Sequence, residues 1–289
     1  MPRVGMNPNR EKPFSGKLPP AILAVCVVVH LPDTNEYHKQ RPAIVEASLA
    51  TARKHSGTDH VLTVWDNGCG AVGKKIIAAA RPDVVITSEN IGKLNAWKHL
   101  LRMYIDGIVS IADDDILYYP GWLAEQVRVL EAYDNRPDAW KVASVTGVVT
   151  KQNAQTQCAK TWEWANANAA VFDRKGDIPN LWDAQHGMSC GRDRKSAEKY
   201  QVSNHIADVA YNGVRARVCG GHTQFVCRAA TIEPVIPFTD RLMMPTFMLF
   251  DSTLDSHGLL KLATWERTAR HLGNVLNDDD KAEIEELLK

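Results

Sequence analysis

A chain of 289 residues is long enough to bury a sizeable core, in one large α/β domain or two small ones. Lys plus Arg and Asp plus Glu number 34 each, so no overall charge attracts the protein to nucleic acid or an anionic membrane. The longest apolar run, at 21–29, is too short to cross a bilayer and lacks the cleavage site of a signal peptide. Six cysteines without a C-x-x-C pair favour a reducing compartment. We therefore expect a cytoplasmic protein without a membrane span.

Strand and helix patterns alternate through the first half of the chain, after an irregular N-terminal arm at 1–20. Apolar runs rich in β-branched residues predict buried strands at 21–29, 60–65, 83–87 and 108–112, with helices between them. This alternation predicts an α/β fold with a doubly wound, mainly parallel sheet over 21–140. The pattern at 141–275 is less regular and predicts a mixed half, and 276–289 predicts a charged terminal helix.

The stretch IVSIADDDILYYPGWL, residues 108–123, predicts a strand, an acidic turn and a helix that begins near Pro120. Three adjacent carboxylates, Asp113, Asp114 and Asp115, raise one another's pKa unless a cation lies among them. Oxygen ligands at a strand end suit Mg²⁺ or Mn²⁺, which also bind phosphate oxygens. A solvated acidic turn is the alternative for an isolated cluster of this kind.

Polar residues follow the other predicted strands of the first half as well. His30, Asp66 and Asn90 each come at or just after the carboxyl end of a strand. In doubly wound sheets, ligands bind at the carboxyl ends of the strands. The sequence therefore predicts a ligand site on one rim of the sheet, shared with the acidic cluster.

Four strings in this order, VVVHLP, VWDNG, NIGKLNA and ADDDILYYPGWL, resemble the inverting nucleotide-sugar transferases of family 2, which have the Rossmann-like glycosyltransferase A fold. The likeness extends from about Ala24 to Leu130, and more loosely to Asn274. It implies a nucleotide-sugar-binding half at 21–140 and an acceptor-binding half of the same domain at 141–275. The implied activity is inverting, metal-dependent sugar transfer from a nucleotide sugar, with a UDP-sugar favoured and Mn²⁺ or Mg²⁺ as cofactor. The Q-x-x-R-W motif of processive synthases is absent, which favours one transfer per encounter.

The resemblance places His30 and Pro32 in the loop that contacts the nucleotide. Asp66 matches the residue that reads the base, and a carboxylate can accept a hydrogen bond from a uracil-type imide N–H. Capping of the next turn is the alternative for Asp66. In Asn90-Ile91-Gly92-Lys93, the glycine permits close backbone approach and the lysine can offset phosphate charge. A helix start with a solvated lysine is the alternative there.

For the acidic cluster, the resemblance implies that Asp113 and Asp115 bind the metal and that Asp114 lies on the ribose side. It also places His271 where a histidine can reach the metal or the diphosphate. Imidazole is an acceptable ligand for manganese, and the protonated ring can pair with phosphate. A capping histidine before a Gly-Asn turn is the alternative.

Inverting transfer needs a base that takes the proton of the acceptor hydroxyl. The segment FDSTLDSHG provides Asp251, directly after an apolar segment, and Asp255 four residues later. We favour Asp251, because a residue at the start of a helix that follows a strand points toward the ligand rim. A helix N-cap for Asp251 and a solvated first-turn acid for Asp255 are the structural alternatives.

Other functions of the same fold stay open at this point. A non-catalytic nucleotide- or carbohydrate-binding protein is one alternative, and a sugar-nucleotide pyrophosphorylase is another, although HLPDTNEYHKQRP is not the glycine-rich basic loop that the latter needs. The acceptor could be a glycan, a lipid-linked sugar, a protein or a nucleobase, and Trp162, Trp164 and Trp182 either stack on it or fill a core. Zinc ligation is a weaker hypothesis, based on the spacings of His186 with Cys190 and of Cys219 with His222.

Overall fold

The structure is a computed structural model, and it describes residues 22–33, 39–134, 140–148, 158–175, 205–239 and 246–289. The predicted N-terminal arm at 1–20 lies outside the described residues.

The first half consists of four parallel strands with helices on both faces. The strands are β1 (Leu23–Val29), β2 (Val61–Asn67), β3 (Val84–Ser88) and β4 (Ile108–Asp113), and the helices are α1 (Arg41–Lys54), α2 (Ala71–Ala80) and α3 (Lys93–Met103). Along β1, Val25 and Val27 pack against α1 and α2, whereas Cys26 and Val28 pack against α3. Because β1 is buried on both faces, its sequence is apolar throughout instead of alternating. The predicted doubly wound sheet is thus confirmed for this half.

The second half extends the same sheet with strands of both directions. Its elements are β5 (Ile116–Tyr118), α4 (Trp122–Asp134), β6 (Val142–Thr146), α5 (Ala159–Asn168), β7 (Ala170–Lys175), β8 (His205–Tyr211), β9 (Val214–Val218), β10 (Gln224–Arg228), α6 (Ala229–Ile232), α7 (Thr246–Ser256), β11 (Leu260–Thr264), β12 (Ala269–His271) and α8 (Asp278–Leu288). Ten of the described strands form one sheet in the order β3-β2-β1-β4-β10-β6-β11-β9-β8-β7, and β12 and β5 form a separate two-stranded sheet. β10 is antiparallel to β4 and β6, and β11 is parallel to β6, so the predicted mixed half is confirmed.

The acidic stretch differs from the prediction of a helix beginning at Pro120. A short strand, β5, follows the acidic turn and pairs with β12, so that Ile116 lies opposite His271. The helix α4 begins only at Trp122, after Gly121, whose φ is +77°. The local sequence did not predict β5, because its partner strand lies about 150 residues later in the chain.

Trp164 and Trp162, two of the tryptophans considered for the acceptor, pack in or against the core. Trp164 is fully buried and its ring contacts the rings of Tyr133 and Tyr211. Trp162 packs against the same core while partly exposed, and Trp182 lies outside the described residues. Of the helices that the structure describes, none has both the length and the hydropathy of a membrane span.

Candidate functional site at the carboxyl ends of the strands

The strand ends of the first half meet through a network of hydrogen bonds. His30 Nδ1 lies 2.9 Å from the Asn67 carbonyl oxygen, and the His30 amide donates to Asp114 Oδ2 at 3.1 Å. The Asn67 side chain, at the end of β2, donates to Asn90 Oδ1 at 3.1 Å. The structure therefore brings His30, Asn90 and the acidic cluster to one rim.

The same hydrogen-bond network fixes the segment that precedes α3. Gly92, the residue before α3, has φ +81°, a conformation that favours glycine. The Gly92 amide donates to Asn90 Oδ1 at 2.9 Å, and the Ile91 amide donates to Asn67 Oδ1 at 2.9 Å. Asn67 was not singled out by sequence, although it stands in the turn DNG. Together these contacts present the amino terminus of α3 to the rim, where an anion is favoured.

Each carboxylate of the acidic cluster has a cationic partner from another part of the chain. Lys93 Nζ donates to Asp113 Oδ2 at 2.8 Å, so this lysine is not the solvated residue of the alternative. The buried guanidinium of Arg41 pairs with both Asp114 and Asp115, at 3.2 Å from Asp115. The sequence indicated that a cation must lie among these carboxylates but did not identify Arg41, which reaches them from the start of α1.

His271 completes the set of basic partners, with Nε2 at 3.1 Å from Asp115 Oδ2. Burial alone would lower the pKa of His271, but the charge of Asp115 and their hydrogen bond raise it above its usual value. Burial would likewise raise the pKa of Asp115, but His271 and Arg41 hold it well below its usual range. Burial raises the pKa of Asp113, and Lys93 offsets this only in part. Asp115 therefore stays ionised at neutral pH.

Two carboxylate oxygens of the cluster fit a divalent metal. Oδ1 of Asp113 and Oδ1 of Asp115 are both buried and have no hydrogen-bond partner. Among the described residues, no three His, Cys, Asp or Glu side chains form a group that could hold a metal ion by themselves. Mg²⁺ is commonly held by one or two carboxylates together with substrate phosphates, so this pair of oxygens suits a metal that arrives with a phosphorylated ligand.

Asp66 and Pro32 make less distinctive contributions to the rim. Asp66 is 3% exposed, and its Oδ1 accepts a hydrogen bond from the Cys69 amide at 2.7 Å. This is the turn-capping contact of the structural alternative, made by one of the two carboxylate oxygens. Pro32 lies half-buried in the loop after β1.

The two candidate bases lie within α7, and not at the end of a strand as expected. Because α7 begins at Thr246, Asp251 is in its second turn, which excludes both the strand-end argument and the N-cap alternative. Asp251 Oδ2 lies 3.1 Å from His222 Nδ1. Asp255 Oδ1 instead accepts a hydrogen bond from the Lys160 amide at 3.3 Å, in the first turn of α5. The two carboxylates therefore have different surroundings, and Asp255 caps a helix.

The residues of the zinc hypothesis are described only in part. Cys219 is buried and His222 pairs with Asp251, whereas His186 and Cys190 lie outside the described residues. Zinc binding by these four residues stays a prediction.

Neither a protein-family model nor a curated protein matches the sequence. Among solved structures, a 4-diphosphocytidyl-2C-methyl-D-erythritol synthase is similar with 13% identity and a TM-score of 0.43, over 92% of this chain and 98% of that chain. The inositol-1-phosphate CTP transferase from T. maritima is similar with 11% identity and a TM-score of 0.45, over 92% of this chain and 96% of that chain. Likenesses this distant assign no activity to this chain.

Proposed function

We propose that the protein transfers a sugar, with inversion, from a nucleoside-diphosphate sugar to an acceptor hydroxyl. The observation that carries the proposal is the set of polar groups at the carboxyl ends of the strands. The acidic cluster, with two buried oxygens that have no hydrogen-bond partner, lies beside the amino terminus of α3, which has no side-chain cap, and beside the hydrogen-bonded side chains of Asn67 and Asn90. A ligand with a diphosphate and a polar ring system would use all three features.

On the side of β1 and β2, the chain's own residues would bind the nucleotide. The carboxylate of Asp66 would accept from the imide of a uracil-type base through the oxygen that does not cap the turn. The backbone at Gly92 would approach the phosphates closely, and Lys93 would exchange part of its contact with Asp113 for a phosphate oxygen. His30 and Pro32 would line the same loop, and Asp114 would face the ribose.

Oδ1 of Asp113 and Oδ1 of Asp115 are the groups that would hold a metal ion, together with oxygens of the ligand. His271, whose Nε2 pairs with Oδ2 of Asp115, would lie beside that ion. When bound, Mn²⁺ or Mg²⁺ supplies Lewis-acid stabilisation of the departing diphosphate. Arg41 pairs with both Asp114 and Asp115 and so orients the two carboxylates. The acceptor would lie on the other side of β4, where β10 and α7 bring His222 and Asp251 together.

Nucleotidyl transfer from a nucleoside triphosphate is the competing activity, and one of the similar structures is named as a CTP transferase. That reaction needs cations for a triphosphate in the loop after β1. The described residues of this loop instead include Asp33, whose carboxylate accepts a hydrogen bond from the Ala71 amide at 3.1 Å. Lys39 lies in the same loop, so the loop is not uniformly basic or acidic, but HLPDTNEYHKQRP contains no glycine. The absence of a glycine-rich basic run from this loop favours sugar transfer over nucleotidyl transfer.

A thermal-shift screen of UDP-sugars, UDP and CTP, with and without Mn²⁺, tests the proposal. Ligand at 100 times its Kd stabilises the folded state by about 2.7 kcal/mol, which a melting curve detects readily. We expect a metal-dependent rise in Tm with UDP-sugars that is lost in Asp115→Asn and kept in Asp106→Asn, an exposed aspartate before β4. Stabilisation by CTP alone, or by no nucleotide, would contradict the proposal.

A further inference from the structure

The pair of His222 and Asp251 is a polar contact on the acceptor side of the rim. Nδ1 of His222 lies 3.1 Å from Oδ2 of Asp251, and the two side chains are 30% and 21% exposed. Both groups are therefore reachable from solvent, although each is largely covered. A carboxylate on Nδ1 fixes the orientation of an imidazole and favours the tautomer with its proton on Nδ1.

The position of His222 relative to the acidic cluster follows from the strand order. The next residue, Thr223, accepts a hydrogen bond through its carbonyl oxygen from the Asp113 amide at 2.8 Å. β10 then continues along the edge of β4 that is opposite β1. His222 thus lies next to the end of β4, on the side away from β2 and the start of α3.

Asp251 lies on a well-packed part of α7. Its neighbours Phe250 and Leu254 are buried, and the Phe250 ring contacts the rings of Trp97 and Phe225. The main-chain carbonyl of Asp251 accepts a hydrogen bond from Lys261 Nζ at 3.2 Å, and Lys261 is itself fully buried. The packing of α7 and the contact with Lys261 therefore fix the backbone of Asp251, from which the carboxylate reaches His222, as a residue that orients a catalytic group requires.

We infer, on the basis of the proposed sugar transfer, that His222 is the catalytic base and that Asp251 is the residue that positions it. The acceptor oxygen forms a bond to the anomeric carbon while the bond from that carbon to the diphosphate oxygen breaks. The electron pair of the broken bond leaves on the diphosphate, and the acceptor proton moves to Nε2 of His222. Asp251 stabilises the resulting imidazolium through Nδ1. The base expected from sequence, Asp251, thus acts through a histidine.

The first test needs no substrate. In two-bond ¹H–¹⁵N correlation spectra of histidine-labelled protein, His222 is assigned by its loss in His222→Gln. We expect the tautomer protonated on Nδ1, and a mixed or reversed tautomer in Asp251→Asn. A ring protonated mainly on Nε2 in the wild type would overturn the inference, whether or not the protein is a glycosyltransferase.

The second test measures turnover with the UDP-sugar that gives the largest thermal shift, with Mn²⁺ and with water as the acceptor. We expect His222→Gln to lower kcat by ~100-fold or more with the Kd for UDP unchanged, since general-base catalysis contributes about that factor. His222→Ala should recover turnover with added imidazole, and Asp251→Asn should lower kcat without altering KM. His257→Gln, an exposed histidine after α7, is the control and should keep wild-type turnover.

The two proposals fail separately. Wild-type protein that binds and hydrolyses no UDP-sugar contradicts the sugar transfer, and the NMR test then decides the pair alone. Turnover of His222→Gln within about threefold of wild type contradicts the catalytic role of His222 and leaves sugar transfer intact.

Discussion

Replacing Arg41 with methionine tests how the acidic cluster is stabilised. Arg41 is 7% exposed, and its guanidinium lies 3.2 Å from Asp115 and also contacts Asp114. At an effective dielectric constant of about 20, unit charges at this distance attract by roughly 5 kcal/mol, before the cost of desolvation. Burial would lower the pKa of Arg41, but Asp114 and Asp115 raise it above its usual range. The methionine therefore leaves buried carboxylates without their guanidinium, which costs about 3–5 kcal/mol in comparable buried pairs.

We expect Arg41→Met to lower the free energy of unfolding in urea by about 3 kcal/mol or more at pH 7. Mn²⁺ should stabilise the variant more than wild-type protein, because the metal replaces the missing cation. Arg53→Met is a matched control on the same helix, since the pair of Arg53 with Asp83 has a similar distance of 3.1 Å but is exposed. Exposed pairs contribute about 0–1 kcal/mol. A loss for Arg41→Met no larger than that for Arg53→Met would show that Arg41 does not stabilise the buried carboxylates.

Three further predictions concern other contacts of the site. Gly92→Ala forces alanine to φ +81°, which should lower the free energy of unfolding in urea by roughly 1–3 kcal/mol and weaken UDP binding. The control is Gly213→Ala, with φ +76° and no atom within 4 Å of the added Cβ, which should lose stability without losing UDP affinity. Equal UDP affinities in the two variants would contradict a role of Gly92 in binding. In EDTA, His271→Gln should destabilise the protein more at about pH 6 than at about pH 8.5. The pKa of His271 is raised in the folded state, so the stability that its ion pair with Asp115 contributes is present below the unfolded pKa and is lost as the pH rises through the folded pKa. An equal loss of stability at both pH values would contradict the ion pair. Asp255→Ala removes the acceptor for the Lys160 amide, so it should weaken the cap of α5 and lower stability in urea by about 0.5–2 kcal/mol. An unchanged midpoint would show that the cap is not stabilising.

The first half of the fold could be predicted because its signals are local. The run at 21–29 is apolar throughout, since β1 is covered on both faces, and the turns after β2 and before α3 carry glycine and asparagine where φ is positive or a helix starts. Parallel strands then bring their carboxyl ends together, so the rim followed from the order of strands and helices.

The partners across the site could not be predicted in the same way. Arg41 and Asp114 are 73 residues apart, and β5 pairs with β12 over an even longer separation. No periodicity encodes such contacts, because they depend on which loops the completed sheet brings together. A basic residue at the start of a helix, where the macrodipole disfavours it, was the one local signal for Arg41. The segment FDSTLDSHG predicted Asp251 at a helix start, whereas α7 begins at Thr246 and carries the buried residues Phe250 and Leu254.

Phosphorus NMR of wild-type protein with a mixture of UDP-glucose, UDP-galactose and UDP-N-acetylglucosamine, in the presence of Mg²⁺ and pyrophosphate, distinguishes sugar transfer from nucleotidyl transfer in one measurement. Sugar transfer predicts that the resonances of UDP appear while pyrophosphate is unchanged, because the bond that breaks joins the sugar to the diphosphate. Appearance of UTP and a sugar 1-phosphate at the expense of pyrophosphate would contradict it, since that product pattern belongs to nucleotidyl transfer.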